Sequence, residues 1–121
     1  MPAQQILVID DDDDIRETIA EGLSLAGLEV HKAKNGQEGL GMLRDGLRPC
    51  LILLDLIMPV MNGWAFSEEV ARDPAFSSLR VCIISATGLG AGQPTPQNVV
   101  AMVKKPIHLD KLLEIIGKNG C

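Results

Sequence analysis

Two short apolar runs that each end in carboxylates constrain the fold of this 121-residue chain more than any other feature. Residues 6–9 are all aliphatic and are followed at once by Asp10 and Asp11. Residues 51–54 repeat the pattern and are followed by Asp55. Uninterrupted apolar runs of this length are typical of strands that are buried on both faces of a parallel sheet. The sequence therefore predicts three acidic side chains at the carboxyl ends of two strands, where open α/β sheets bind ligands.

Carboxylates in such a cluster repel one another unless a cation lies among them. Mg²⁺ is a hard cation that prefers oxygen ligands, and proteins commonly hold it with carboxylates. The pattern therefore predicts a magnesium site that includes Asp10, Asp11 and Asp55.

The rest of the chain alternates strand patterns with helix patterns, which predicts an α/β fold with a parallel sheet and helices on both faces. Its length is that of one domain, so we expect a single domain over residues 1–121. Predicted strands cover residues 5–9, 28–33, 50–54, 80–85 and 99–103. One predicted helix follows the first strand. Three further predicted helices cover residues 37–45, 64–72 and 109–116.

The start of the first helix is predicted from a run of aspartates. Asp14 and Glu17 have the spacing of a capping box, so Asp14 or a residue close to it is the expected N-cap. Asp12 and Asp13 are expected only to interact favourably with the positive end of the helix dipole. Gly27 is the expected C′ residue at the other end of this helix.

One segment breaks the alternation of strands and helices. Residues 88–96 contain three glycines and two prolines, which oppose a stable helix where the fourth crossover helix should lie. We therefore expect that helix to be short or replaced by a loop, and we expect residues 88–98 to be flexible. An order–disorder switch of this loop is one hypothesis for signalling.

Composition excludes several classes of protein. The formal net charge is −5 and the longest basic cluster is Lys104-Lys105, so direct binding of nucleic acid by this domain is not expected. No apolar run is long enough to cross a bilayer, and the N-terminus does not have the pattern of an export signal, so we expect a cytoplasmic protein without membrane insertion. Three cysteines without C-x-x-C spacing indicate reduced, structural thiols rather than a disulfide framework or a zinc site.

Four motifs in order resemble those of the CheY-like receiver domains of two-component response regulators. They are the Asp10-Asp11 pair, the D-x-x-M-P-x-x-N-G stretch from Asp55 to Gly63, Ser85-Ala86, and Lys105-Pro106. Each motif is weak alone, but all four come at the carboxyl end of a predicted strand or just beyond it. The resemblance covers nearly the whole chain and implies a doubly wound, five-stranded parallel sheet in the order 2-1-3-4-5.

The resemblance also implies roles for individual residues. Asp55 would accept a phosphoryl group, and Asp11 and Asp55 would hold Mg²⁺ with Asp10 acting through water. The backbone carbonyl of Ile57 would complete the protein ligands of the ion. Ser85 would donate its hydroxyl to the phosphoryl group, and Lys105 would place its ammonium against a phosphoryl oxygen. In relatives the Lys-Pro peptide is cis, so a cis bond is expected after Lys105.

The function that the resemblance implies is phosphoryl reception in a histidine-to-aspartate relay, not enzymatic turnover of a substrate. The expected partners are a histidine kinase or a histidine phosphotransfer protein and a downstream protein target. Many relatives carry Tyr or Phe in the fifth strand where this chain has Met102, so the usual aromatic switch is absent.

Two alternatives stay open. The first is a pseudo-receiver that acts as a protein-interaction module without phosphorylation. The second is a Mg²⁺-dependent phosphohydrolase with Asp55 as nucleophile, which is disfavoured because such enzymes need a second carboxylate where Ile57 stands.

Overall fold

The computed structural model describes residues 4–56, 63–85 and 97–119. Within these residues the chain forms five strands and four helices. In chain order they are β1 (Gln5–Ile9), α1 (Asp13–Leu25), β2 (Glu29–Ala33), α2 (Gly36–Arg44), β3 (Leu51–Asp55), α3 (Gly63–Arg72), β4 (Val81–Ser85), β5 (Val99–Lys104) and α4 (Leu109–Lys118). Each predicted strand is confirmed to within one residue at either end.

The five strands form one parallel sheet in the order β2-β1-β3-β4-β5, as predicted. Ile9 lies opposite Leu54, so Asp10 and Asp55 follow at the same level of two adjacent strands. Ser85 lies opposite Lys104 in the same way. The register therefore brings the ends of four strands to one edge of the sheet.

Side-chain alternation along the strands divides the core into two clusters, one on each face of the sheet. Leu7, Ile52 and Leu54 belong to the cluster that also contains side chains from α2 and α3. The intervening residues Val8 and Leu53 belong to the cluster that contains side chains from α1 and α4. Both faces of the sheet are thus covered, which explains why its central strands are apolar throughout.

The central and edge strands differ in burial. Every residue of β3 and β4 is buried. The edge strand β2 carries exposed Glu29 and Lys32, and the other edge strand, β5, exposes Val100 and Lys104. Charges on an edge strand oppose pairing with another chain.

The N-terminus of α1 differs from the prediction. Asp12, and not Asp14, is the N-cap, and its carboxylate accepts hydrogen bonds from the backbone N–H groups of Asp14 and Ile15 at 2.9 and 3.1 Å. The predicted capping box at Asp14 and Glu17 is therefore wrong. The helix begins earlier than predicted because the chain turns immediately after β1. The turn is held by a hydrogen bond from Asp12 N to the carboxylate of Asp10.

The C-terminus of α1 confirms the prediction for Gly27. This glycine has φ +94°, a left-handed conformation that other residues rarely adopt. Gly27 N donates to Ser24 O, and Leu28 N donates to Leu23 O, which is the hydrogen-bond pattern of a Schellman motif.

The predicted loop at residues 88–98 lies largely outside the described residues, as does any helix in that crossover. Only Gln97 and Asn98, in a turn before β5, are described. Asn98 is buried and its Nδ2 donates to the backbone carbonyl of Ser67 in α3 at 3.1 Å. This contact attaches the end of the crossover to the helix that follows β3.

The two cysteines that the structure describes are of different kinds. Cys50, just before β3, is disulfide-bonded, so the prediction of reduced thiols is wrong for this residue. Cys82 in β4 is a free, buried thiol, as predicted, and burial raises its pKa to about 12.

Among the described helices, none combines the length and apolar character that spanning a membrane requires.

Candidate functional site

The predicted site residues that the structure describes meet at the carboxyl edge of the sheet. Asp10 directly follows β1, Asp55 ends β3, Ser85 ends β4 and Lys105 directly follows β5. Because all four strands are parallel and adjacent, their ends lie side by side. This edge is where open α/β sheets carry their ligand sites.

Three carboxylates form a compact group within this edge. Asp10, Asp11 and Asp55 each offer one oxygen, and these oxygens all lie within 4.8 Å of one another. Asp10 and Asp55 are only 1% and 6% exposed, whereas Asp11 is exposed. The group therefore has two buried members and one that opens to solvent, which is an arrangement that can admit a cation.

Lys105 supplies the positive charge of the site. Its Nζ lies 3.7 Å from Asp10 Oδ2 and 3.6 Å from Asp55 Oδ1. Lys105 N also donates to Ser85 O at 2.8 Å, which ties the end of β5 to the end of β4. Lys104 is exposed, as expected for its neighbour in the strand, and the predicted cis peptide between Lys105 and Pro106 is confirmed.

Burial and mutual repulsion set the electrostatics of the two inner carboxylates. The pKa of Asp55 is raised to about 6, first by burial and then by the charge of Asp10, while the charge of Lys105 opposes the shift. Burial also raises the pKa of Asp10, against the lowering effects of the Asp12 N–H and of Lys105. One cation thus compensates only part of the cost of this acidic group.

The Asp10 carboxylate is satisfied on one oxygen only. Its Oδ1 accepts from Asp12 N at 2.9 Å. Its Oδ2 is buried and has no hydrogen-bond partner within the described residues, although Lys105 is near enough for an ion pair. An unpartnered buried carboxylate oxygen is costly, so Asp10 Oδ2 is a candidate ligand atom for a cation.

Ser85 is 2% exposed and lies at the end of β4, between the strands that carry Asp55 and Lys105. Ser85 thus ends a strand of the predicted edge, and the role of its hydroxyl toward a phosphoryl group stays a prediction. Ile57, whose carbonyl is a predicted metal ligand, lies outside the described residues.

Gly63 closes against the backbone of the acidic strand. Its N–H donates to Leu56 O at 2.8 Å as α3 begins. A Cβ at this position would lie 2.9 Å from Asp55 O and 2.9 Å from Leu56 Cα, closer than side chains tolerate. Glycine is therefore needed for α3 to start beside Asp55, which gives a physical reason for Gly63 in the motif.

Sequence reasoning missed Arg16. Its guanidinium donates from Nη1 to Asp10 O at 2.9 Å and forms an ion pair with Asp13 through Nη2. The spacing of Asp13 and Arg16 is that of an i,i+3 helix pair, a signal visible in the sequence. The contact with the Asp10 carbonyl carries no such signal, because it depends on how the chain turns after β1.

The family model for the response regulator receiver domain matches residues 6–117. The chain belongs to this family. The predicted CheY-like receiver fold is thereby confirmed, and the chain is a receiver of two-component phosphorelay signalling, which is a signalling module.

Individual relatives agree with this assignment. The sensor histidine kinase CheAY of Helicobacter pylori is 37% identical over an alignment of 117 positions, which covers 94% of this chain and 15% of that protein. The DNA-binding dual master transcriptional regulator RpaA of Synechocystis sp. is 33% identical over 84 residues, or 69% of this chain and 34% of that protein. The chain thus spans a minor part of each of these relatives.

Solved structures show the same architecture. The response regulator TrrA of Thermotoga maritima, solved in complex with Mg²⁺–BeF, is 28% identical with a TM-score of 0.85, covering 96% of this chain and 98% of that one. A putative response regulator of Chloroflexus aurantiacus superposes with a TM-score of 0.88 at 23% identity, over 98% of both chains, and supports the fold alone.

Proposed function

We propose that this receiver domain accepts a phosphoryl group on Asp55 from a phosphohistidine, with Mg²⁺ as cofactor. The proposal rests on the convergence of Asp10, Asp11, Asp55 and Lys105 at one edge of the sheet. Among the described residues, Lys105 is the cation that pairs with the Asp10 and Asp55 carboxylates, so the three carboxylates stay short of positive charge. This suits the site to a metal ion and an anionic phosphoryl group held together.

The donor set fits Mg²⁺. Asp10, Asp11 and Asp55 offer hard oxygen ligands, and Asp10 Oδ2 is a buried oxygen without a hydrogen-bond partner in the described segments. Asp11 and Asp55 would hold the ion directly, Asp10 would act through water, and the Ile57 carbonyl is a proposed further ligand. When bound, the ion would neutralise charge on the transferring phosphoryl oxygens.

The residues of the chain would then carry out the transfer. An Asp55 carboxylate oxygen attacks phosphorus, the phosphorus–nitrogen bond of the phosphohistidine breaks, and its electron pair stays with the imidazole. The product is an acyl phosphate on Asp55. Lys105, 3.6 Å from Asp55, is placed to contact a phosphoryl oxygen, and the Ser85 hydroxyl to donate to another.

A groove beside the site supports docking of the donor protein. It has a volume of about 560 Å³ and lies between α1 and α4, with apolar walls that include Ile15, Ile19 and Leu112. Lys105 lines both this groove and the acidic site. A histidine kinase or histidine phosphotransfer protein seated there would present its phosphohistidine next to Asp55.

The remaining parts of the proposal concern the setting of the domain. We propose a cytoplasmic protein whose residues 1–121 act as one domain, without direct nucleic-acid contact or membrane insertion by this domain. Its output would be a change in contact with a downstream protein.

Acetyl phosphate labelling tests the proposal. Wild type incubated with acetyl phosphate and Mg²⁺ should gain one phosphoryl group by intact-protein mass spectrometry, and EDTA should abolish the gain. Asp55→Asn should gain none, because its amide cannot form an acyl phosphate. Glu68→Gln, which removes an exposed carboxylate from α3, serves as the matched control and should label like wild type.

Two results would contradict the proposal. No addition to wild type would favour the phosphorylation-independent pseudo-receiver. Rapid release of inorganic phosphate with many turnovers per protein would instead favour the phosphohydrolase.

A further inference from the structure

Arg16 holds the turn that carries two of the acidic residues. It lies on α1, and its side chain is only 13% exposed, whereas the side chain of its ion-pair partner Asp13 is 81% exposed. Nη1 of Arg16 donates to the carbonyl of Asp10 at 2.9 Å. The guanidinium therefore lies beneath the turn and bonds to its backbone, instead of extending into solvent as a surface arginine does.

The backbone of Asp10 is held at both polar groups. Its N–H donates to Ala33 O at 3.2 Å, and its carbonyl accepts from Arg16. Its carboxylate is held as well, since Oδ1 accepts from Asp12 N. These three contacts leave Asp10 Oδ2 as the free oxygen that faces Lys105.

The carbonyl that Arg16 holds belongs to the peptide unit that joins Asp10 to Asp11. A planar peptide unit fixes the direction in which the next residue leaves, so the Arg16 contact also sets where Asp11 begins. Five consecutive aspartates, residues 10–14, would otherwise repel one another and open this turn. Arg16 places a permanent positive charge inside the turn and bonds to it at two points.

We propose that Arg16 is a positioning residue for magnesium binding, which keeps the carboxylates of Asp10 and Asp11 in the geometry that the ion needs. The inference rests on the proposed function, because it presumes that these carboxylates hold Mg²⁺. The ion demands near-ideal octahedral ligands, and loss of a group that orients ligands typically weakens metal binding about 10–100-fold. Arginine suits the role because its rigid fork offers separate nitrogens, Nη1 and Nη2, to the carbonyl and the carboxylate, whereas lysine has one nitrogen on a flexible chain.

Calorimetric titration of Mg²⁺ into the phosphate-free protein tests this inference. Arg16→Met should raise the Kd for Mg²⁺ about 10-fold. Arg16→Lys, which keeps the charge but not the fork, should raise it about 3-fold. The matched control is Lys32→Met. Lys32 also pairs with a carboxylate of α1, since its Nζ lies 2.8 Å from Glu17, but its side chain is 44% exposed. The Kd of this variant for Mg²⁺ should stay within about 2-fold of wild type.

Urea unfolding in EDTA separates positioning from a purely structural role. A purely structural role predicts a lower midpoint for Arg16→Met with an unchanged Kd, and that result would overturn the inference. If Arg16→Met does not fold, Arg16→Lys decides: a Kd equal to that of wild type overturns it, and a raised Kd supports it.

The labelling of Asp55 distinguishes this inference from the proposed function. Wild type that binds no Mg²⁺ and accepts no phosphoryl group would overturn both. Wild type that binds Mg²⁺ and is labelled, beside an Arg16→Met protein with an unchanged Kd, would overturn the inference alone.

Discussion

Leu54 and Asp55 are consecutive residues of β3, yet they lie in opposite kinds of environment. Leu54 is completely buried among apolar side chains of the α2–α3 face. Asp55 is almost as buried, at 6% exposure, but is surrounded by Asp10, Asp11 and Lys105. One step along the strand thus separates a residue that stabilises the fold from one that costs stability. The comparison teaches that the carboxyl edge gives up stability in order to keep charged groups together.

The largest effect on stability is expected at Leu54, in the interior. Leu54→Ala should lower the free energy of unfolding by about 3 kcal/mol, because it removes buried apolar volume that neighbouring side chains cannot refill. Urea unfolding measures the loss. Leu25→Ala on α1, where the leucine is 83% exposed, is the control and should change stability by less than about 0.5 kcal/mol. A small loss at Leu54 would mean that the interior is not tightly packed.

Mg²⁺ should offset the stability that is lost by clustering carboxylates at the carboxyl edge, and it should leave the interior unaffected. At a concentration about 100 times its Kd, the ion should add about 2.7 kcal/mol to the free energy of unfolding of wild type. Leu54→Ala should keep this gain, because its change is confined to the interior, and Asp55→Asn should lose most of it. Thermal melts with Mg²⁺ and with EDTA measure the difference. Equal gains in all three proteins would show that the ion binds elsewhere.

The protein should also become more stable when the charge of Asp55 is removed. The pKa of Asp55 is about 6 in the folded protein, whereas an aspartate in the unfolded chain has a pKa of about 3.8 and loses its proton at lower pH. The resulting penalty on wild type develops between about pH 4 and pH 6 and is complete above that range. Asp55→Asn in EDTA at pH 8 should therefore be more stable by about 1–2 kcal/mol, and the difference should vanish near pH 3.

Unfolding curves at pH 3, 5 and 8 measure this dependence. Glu68→Gln makes the same change of charge at an exposed position and should show no comparable gain. A loss of stability in Asp55→Asn at pH 8 would mean that the ion pair with Lys105 outweighs burial and repulsion.

The smallest effect concerns the turn that supports the edge. Asp12→Ala should cost about 1 kcal/mol, because it removes the N-cap acceptor of the Asp14 and Ile15 N–H groups. Asp12→Asn, which retains an acceptor oxygen, should recover most of this loss. Asp14→Ala is the control, and a greater cost at Asp14 than at Asp12 would contradict the observed cap.

The fold could be predicted largely because its signals are local. The uninterrupted apolar residues of β3 and β4 indicated strands covered on both faces, and Gly27 marked the end of α1. The acidic site could be predicted because its residues directly follow strands, and parallel strands end at a common edge.

Other details depended on contacts that no local pattern encodes. Five aspartates in a row have nearly equal propensity to cap a helix, so sequence alone could not choose Asp12 over Asp14. The choice follows from the turn after β1, which Asp10 shapes through its bond to Asp12 N. The contact of Arg16 with the Asp10 carbonyl depends on the same turn and was missed for the same reason.

The sequence by itself determined which strands are central and which charged groups end them, because hydrophobic periodicity and chain order are properties of neighbouring residues. Only the tertiary structure decided that Asp10 and Asp55 are buried, that Lys105 lies between them, and that the pKa values of both carboxyls are raised. Desolvation and charge coupling depend on distances between strands that are far apart in the chain, and those distances exist only once the sheet has formed.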